Sequence, residues 1–125
     1  VSRARQSLGR KGEARARRFL RRNGLKIVTR NWRCPAGELD IIARDGDVAV
    51  IVEVRTASGD GFAGGPVWTV GPEKQRRVIR LARLWRRQSA WKPRAIRFDV
   101  IAVRRRGWMR WSLDWYRRAF ESPEA

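Results

Sequence analysis

Gly37-Glu38-Leu39-Asp40-Ile41-Ile42-Ala43-Arg44-Asp45-Gly46-Asp47-Val48-Ala49-Val50-Ile51-Val52-Glu53-Val54-Arg55 is the stretch that decides the fold. Two apolar, β-branched runs flank Asp45-Gly46, and Asp-Gly between such runs is a strong hairpin signal. With Asp45 and Gly46 as the turn residues, Arg44 faces Asp47, and the pairing runs outward through Ile42 with Ala49 and Asp40 with Ile51 to Glu38 with Glu53. Paired residues share a face, and side chains alternate with period two. Glu38, Asp40, Glu53 and Arg55 are therefore expected on one face near the open end of the hairpin. Leu39, Ile41, Val50, Val52 and Val54 are expected on the other face, available to a core. A longer or bulged turn would change this register.

Three carboxylates on one patch repel one another and need compensation, from a divalent cation, a nearby arginine or a raised pKa. A hard, oxygen-liganded ion such as Mg²⁺ or Mn²⁺ suits them best. The plainer reading is that the acids offset a basic chain or cap a sheet edge.

The chain has 125 residues, enough for one domain (1–125) with a real core. Lys and Arg number 30 against 12 Asp and Glu, a formal charge of +18. Most of the basic residues are arginine, which forks onto phosphates and stacks on bases, so nucleic acid is the expected partner, DNA ahead of RNA. There is no histidine and one cysteine, Cys34. These absences exclude Ser-His-Asp and Cys-His catalysis, an internal disulfide and a protein zinc site. Gly59, Gly61, Gly64 and Gly65 lack Walker or Rossmann context. No apolar run approaches membrane-spanning length and no signal-peptide pattern opens the chain, so a cytoplasmic protein with no membrane partner is expected.

Outward from the hairpin, Leu8, Gly12, Ala16, Phe19 and Leu20 recur at helical spacing, predicting a helix from about Ser7 to Asn23. Glu13 lies at the edge of that stripe, able to reach the hairpin acids or to pair with Arg17. Arg10, Arg17 and other arginines cover the rest of the helix. Leu25 to Arg33 reads as a strand with Ile27 and Val28 inside. The stretch after Arg55, Thr56 to Pro66, reads as a glycine-rich loop of the kind that serves as a lid. Pro72 starts a second helix running to about Ala90, with Val78, Leu81, Ala82 and Trp85 buried and Lys74, Arg76, Arg77 and Arg80 among its basic residues. Arg94 to Val103 reads as a strand, and a basic turn at Arg104-Arg105-Arg106-Gly107 leads to a last strand from Trp108 to about Leu113. Trp108, Trp111, Trp115 and Tyr116 are expected to close the fold, or to stack on bases. The result is an α/β fold in the order α-β-β-β-α-β-β, a mixed sheet flanked by helices.

Asp40 followed by Glu53-Val54-Arg55 resembles the Asp…Glu-x-Lys signature of the restriction-endonuclease-like nuclease superfamily. Gly12-Glu13, Asn31-Trp32-Arg33, Gly37 to Ile42, Val52 to Arg55, Lys74-Gln75 and Arg97-Phe98-Asp99-Val100 together look like the YraN-like family of bacterial proteins, itself similar to archaeal Holliday-junction resolvases. The resemblance implies an αβββαβ core. It makes Glu13, Asp40 and Glu53 metal-binding acids, puts Arg55 at the catalytic lysine's position and Gln75 on a helix facing the site. Arginine supplies the electrostatic part of the lysine's role but is too basic for a general base.

Two functions from different classes follow. One is a Mg²⁺- or Mn²⁺-dependent endonuclease, with Asp40 and Glu53 holding the ion, Glu13 or Glu38 completing its shell, Arg55 clamping the phosphate and Gln75 beside them. The other is a non-catalytic nucleic-acid-binding module with a decayed site. Resolvase-like chemistry would require a homodimer, although no segment announces an interface.

Overall fold

The computed structural model describes residues 3–59 and 70–123. Its elements are α1 (Arg3–Arg22), β1 (Lys26–Cys34), β2 (Gly37–Asp45), β3 (Val48–Ser58), α2 (Pro72–Gln88), β4 (Ala95–Arg105) and β5 (Trp111–Phe120), in the predicted order. One mixed sheet runs β1-β2-β3-β4-β5. Its pairs are antiparallel except β3 and β4, which α2 joins by a crossover and which are therefore parallel. The αβββαβ order that the resemblance implies runs from α1 through β4, and β5 extends the sheet beyond it.

Each helix covers one face of the sheet. Ala16 and Leu20 of α1 pack with Ile41, Ala43, Val50, Val52, Ile101 and Val103. Val78, Leu81, Ala82 and Trp85 of α2 pack with Ile42, Ala49, Ile51, Phe98 and Val100 on the opposite face. Central strands covered on both sides read as continuous apolar runs, as β3 and β4 do.

The hairpin turns at Gly46-Asp47 rather than Asp45-Gly46. Asp45 pairs with Val48, Ile42 with Ile51 and Ile41 with Val52. Gly46 has φ +62° at the first turn position, where a glycine suits a type II′ turn. The pairing moves by two residues, an even shift that keeps Asp40 and Glu53 on their predicted face, whereas Glu38 leaves it and meets Glu13 of α1 through Asn31. Leu39 departs from its predicted face. It joins the α2-side core while Ile41 joins the α1-side core. The β2–β3 ladder ends at Ile41 with Val52, and on the other side Asn31 lies between the pairs Arg30–Ile41 and Trp32–Leu39 with φ +51°. This irregularity releases β2 from strict alternation at Asp40.

Two other expectations are corrected. Val28 is 41% exposed because β1 bulges between Ile27 and Thr29 and leaves it outside the ladder. The last strand begins at Trp111 rather than Trp108 and runs to Phe120. A turn in which the Arg106 N–H donates to the Arg110 carbonyl at 2.7 Å occupies the residues before it. Trp108 is 83% exposed and closes nothing, whereas Trp111 and Trp115 pack against the α1-side core and Tyr116 against the α2-side core. Of the predicted lid loop, Thr56 to Ser58 belong to β3, and residues 60–69 lie outside the described residues.

Gly12 seats α1 on the sheet. A Cβ there would overlap the Thr56 side chain, coming within 2.7 Å of its Cγ2 and 3.0 Å of its Cβ. Threonine is stiff at χ1 and cannot swing clear. Gly12→Ala gains about 1 kcal/mol of helix propensity but incurs about 1–3 kcal/mol of overpacking. The expected net result is a loss of stability in urea unfolding, which Thr56→Ala in the same chain restores.

Candidate metal and nucleic-acid site

Asp40 is the centre of the site. One step beyond the last β2–β3 ladder pair, its Oδ2 accepts the Val54 N–H at 2.9 Å, standing in for a strand carbonyl. By continuation of the register Asp40 lies across from Glu53. Glu53 is 3% exposed, and its Oε2 is 3.2 Å from Lys74 Nζ in the first turn of α2. On the other side, α1 brings in Glu13. Asn31, with its amide turned to donate, reaches Glu13 Oε1 at 2.9 Å and Glu38 Oε1 at 3.1 Å. Glu38 Oε2 also takes the Arg33 Nε at 3.1 Å. The acids thus form a row, Glu38 and Glu13 on one side of Asp40 and Glu53 on the other.

The row is electrostatically frustrated. Burial pushes Glu53 up to about 7, and the neighbouring Asp40 adds to this, while Lys74 and Arg77 pull the other way. Burial also lifts Glu13 to about 7, helped by Asp40 and Glu38 and opposed by Arg17 and Arg33. Asp40 is raised by burial first, against the Val54 N–H and Lys74. A carboxyl that titrates near 7 when folded and near 4.5 when unfolded binds more protons in the folded state between those values. Its contribution to stability is therefore lost as pH rises from about 4.5 through about 7. Glu53→Gln is expected to stabilise the metal-free protein relative to wild type at pH 8, by on the order of 2 kcal/mol, and not at pH 4. Urea unfolding in chelator at both pH values checks this.

Among the predicted residues, the structure brings together Glu13, Glu38, Asp40 and Glu53, with Arg17, Lys74 and Arg77 acting on them electrostatically. Arg55 is half-buried on β3, two residues past Glu53 and hence on the same face. Gln75 is engaged elsewhere, its Nε2 donating to the Val70 carbonyl at 2.7 Å. Arg10, Arg76 and Arg80 are exposed on the helices. Among the described residues, no three His, Cys, Asp or Glu side chains stand as a preformed metal cage. Glu53 is turned to Lys74, Asp40 to the backbone and Glu13 to Asn31.

Asn31 was singled out in the sequence only as part of a motif, and sequence reasoning missed its place in the site. Its signal was an asparagine inside a strand, a residue that tolerates the left-handed region and breaks a ladder where it does so.

The chain is 50% identical over 98 residues to a UPF0102 protein of Nocardia farcinica, covering 78% of this chain and 76% of that one. It is 40% identical over 119 residues to a UPF0102 protein of Pseudomonas syringae pv. syringae, covering 94% and 96%. A UPF0102 protein of Bordetella avium is 44% identical over 119 residues, covering 95% and 78%. The model of this family matches residues 12–103, from the glycine that seats α1 through the acid row to the end of the buried part of β4. With that span matched, the chain belongs to the uncharacterised protein family UPF0102, the YraN-like family its motifs resemble.

Proposed function

We propose that the protein is a Mg²⁺- or Mn²⁺-dependent endonuclease acting on DNA. The observation that carries this reading is the row Glu13, Asp40 and Glu53, carboxyls buried or half-buried together and destabilised as anions, inside a strongly basic protein. Oxygen donors of this kind fit a hard divalent cation, and such an ion would offset the repulsion among them. Asp40 and Glu53 would hold it, with Glu13 and Glu38 completing the shell. The ion would supply Lewis-acid polarisation of the scissile phosphodiester. Arg55, on the Glu53 face, binds a phosphate oxygen and stabilises charge that develops there. Lys74, displaced from Glu53, moves to the phosphodiester backbone. Arg10, Arg17, Arg76, Arg77 and Arg80 hold the flanking phosphates, so binding weakens steeply as salt rises.

Cleavage of labelled branched, duplex and single-stranded DNA with Mn²⁺ tests the proposal, comparing wild type with Arg55→Lys. Cleavage by wild type supports it and shows that arginine suffices. A second reading, a non-catalytic DNA-binding module, is favoured by the Lys74–Glu53 ion pair, in which a protein cation engages a proposed ligand oxygen. Silence of both proteins with salt-sensitive binding retained would select it. A further readout is thermal. Because the ion binds the ionised acids, Mn²⁺ is expected to raise Tm more at pH 8 than at pH 5.

A further inference from the structure

Trp108 and Met109 are, with Val28, the large apolar side chains left exposed among the described residues, at 83% and 70%. They lie side by side in the β4–β5 turn, between Arg104-Arg105-Arg106 and Arg110, with no acid in the segment. The turn is built to hold them out. The Arg106 and Gly107 N–H groups donate to the Arg110 carbonyl at 2.7 and 3.3 Å. Arg105 Nε donates to the Gly107 carbonyl and Arg106 Nε to Ser112 Oγ, each at 3.3 Å. At its base, Arg15 stacks 4.4 Å over Trp111 and anchors the turn to α1. Two adjacent large apolar side chains held out in this way contribute nothing to the core and form a patch open to a partner.

The topology says where that partner lies. β3 and β4 are parallel, with Glu53 opposite Val100 and Ser58 opposite Arg105. The turn therefore leaves the sheet at the same end as the open end of the β2–β3 hairpin, where Asp40 lies, its base about 17 Å beyond Glu53 along the strand. We propose that Trp108 and Met109 form a wedge that unstacks a base step of duplex DNA, so that the substrate class is branched or distorted duplex rather than continuous B-form. This rests on the DNA-directed reading above. Apolar side chains inserted between base steps beside phosphate-binding arginines are a known way to kink DNA, and the unstacking is cheapest where stacking is already broken. The four arginines favour a polyanion. DNA is favoured over an anionic membrane because two side chains on a short turn bury too little apolar area to hold a protein on lipid.

A three-way junction carrying 2-aminopurine at the branch reports the unstacking directly, with equilibrium binding to the same junction and to continuous duplex measured in Ca²⁺. Wild type is expected to brighten 2-aminopurine and to prefer the junction. Trp108→Ser with Met109→Ser, both at exposed positions, is expected to abolish the brightening and reduce junction affinity about tenfold while leaving duplex affinity unchanged. Arg106→Gln with Arg110→Gln is expected to weaken both complexes. Unchanged brightening and preference in the serine variant overturn the wedge and leave the metal-site reading intact. Cleavage lost in Asp40→Asn with brightening retained separates the two in the other direction. Binding of wild type to phosphatidylglycerol vesicles and not to DNA overturns the wedge as well.

Discussion

Asp40→Asn is expected to lower Mn²⁺-dependent cleavage by at least about a hundredfold while leaving DNA binding as tight as wild type or tighter. Asp40 stands between Glu13 and Glu53, and its charge raises both of them. Neutralising it weakens the proposed metal site at its centre and also removes the repulsion that keeps its neighbours poorly ionised. Both should titrate closer to the ordinary glutamate value, and the patch facing the phosphates becomes less negative. The amide oxygen of asparagine can still accept the Val54 N–H, so the end of the β2–β3 ladder is preserved. Cleavage assays, filter binding at several salt concentrations and urea unfolding on the same preparations check all three parts. Loss of folding together with loss of activity would assign Asp40 a structural role instead. Tight binding with no Mn²⁺-induced rise in Tm in either protein would remove the metal from the account.

Asp99→Ala is expected to destabilise the fold by about 3–5 kcal/mol. Asp99 is fully buried. Its carboxylate takes Arg97 Nε and Nη2 at 3.0 Å each, Trp115 Nε1 at 2.8 Å and the Arg118 N–H at 3.0 Å. Removing it leaves an indole N–H and a backbone N–H without their partner at once, and leaves a mostly buried guanidinium with only the 3.3 Å contact to Asp45. The last of these matters for the chain path. β5 bulges opposite Asp99, where Phe98 pairs with Phe120 but Val100 pairs with Tyr116, and Arg118 sits there at φ +53°. Asp99 holds that left-handed residue in place. Beyond it the Phe120 ring stacks on Phe98 with centroids 5.0 Å apart. Asp99→Asn keeps the shape but loses the charge, and is expected to cost about 2 kcal/mol. Urea unfolding of both variants gives the order. A variant that cleaves DNA poorly at unchanged stability would move Asp99 from the scaffold to the site.

These residues mark what was legible. Alternation in β2 and β3, with acids among apolar residues, placed Glu38, Asp40, Glu53 and Arg55 near the open end of a hairpin, and the structure assembles the acids there. The even, two-residue change of register leaves Asp40 and Glu53 on a shared face, while the break in alternation at Asp40 turns Glu38 toward Glu13 of α1. Glu13 was ambiguous on helical spacing, since a helix says which way a side chain points on its own surface and not what stands opposite. Gly12 settles it, because the close approach over Thr56 brings α1 to the site edge. Asp99 was visible as a polar residue in an apolar strand and as part of the Arg97-Phe98-Asp99-Val100 motif, with no role attached to it. Its role needed β5, whose start was misplaced because the sequence does not show that Arg106 to Arg110 close on themselves.

By itself, then, the sequence determined the element order, the two buried helix stripes, the acids and the surplus of arginine. All of these are written in local periodicity and composition, which need no knowledge of distant partners. Only the tertiary structure decided which contacts join them. Leu39 and Ile41 go to opposite faces because the ladder ends at Asp40. Lys74 reaches Glu53, Asn31 spans Glu13 and Glu38, and Asp99 anchors a bulge nineteen residues away. Each of these is a contact between residues far apart in the chain, fixed by packing and desolvation that exist only once the sheet and both helices have come together.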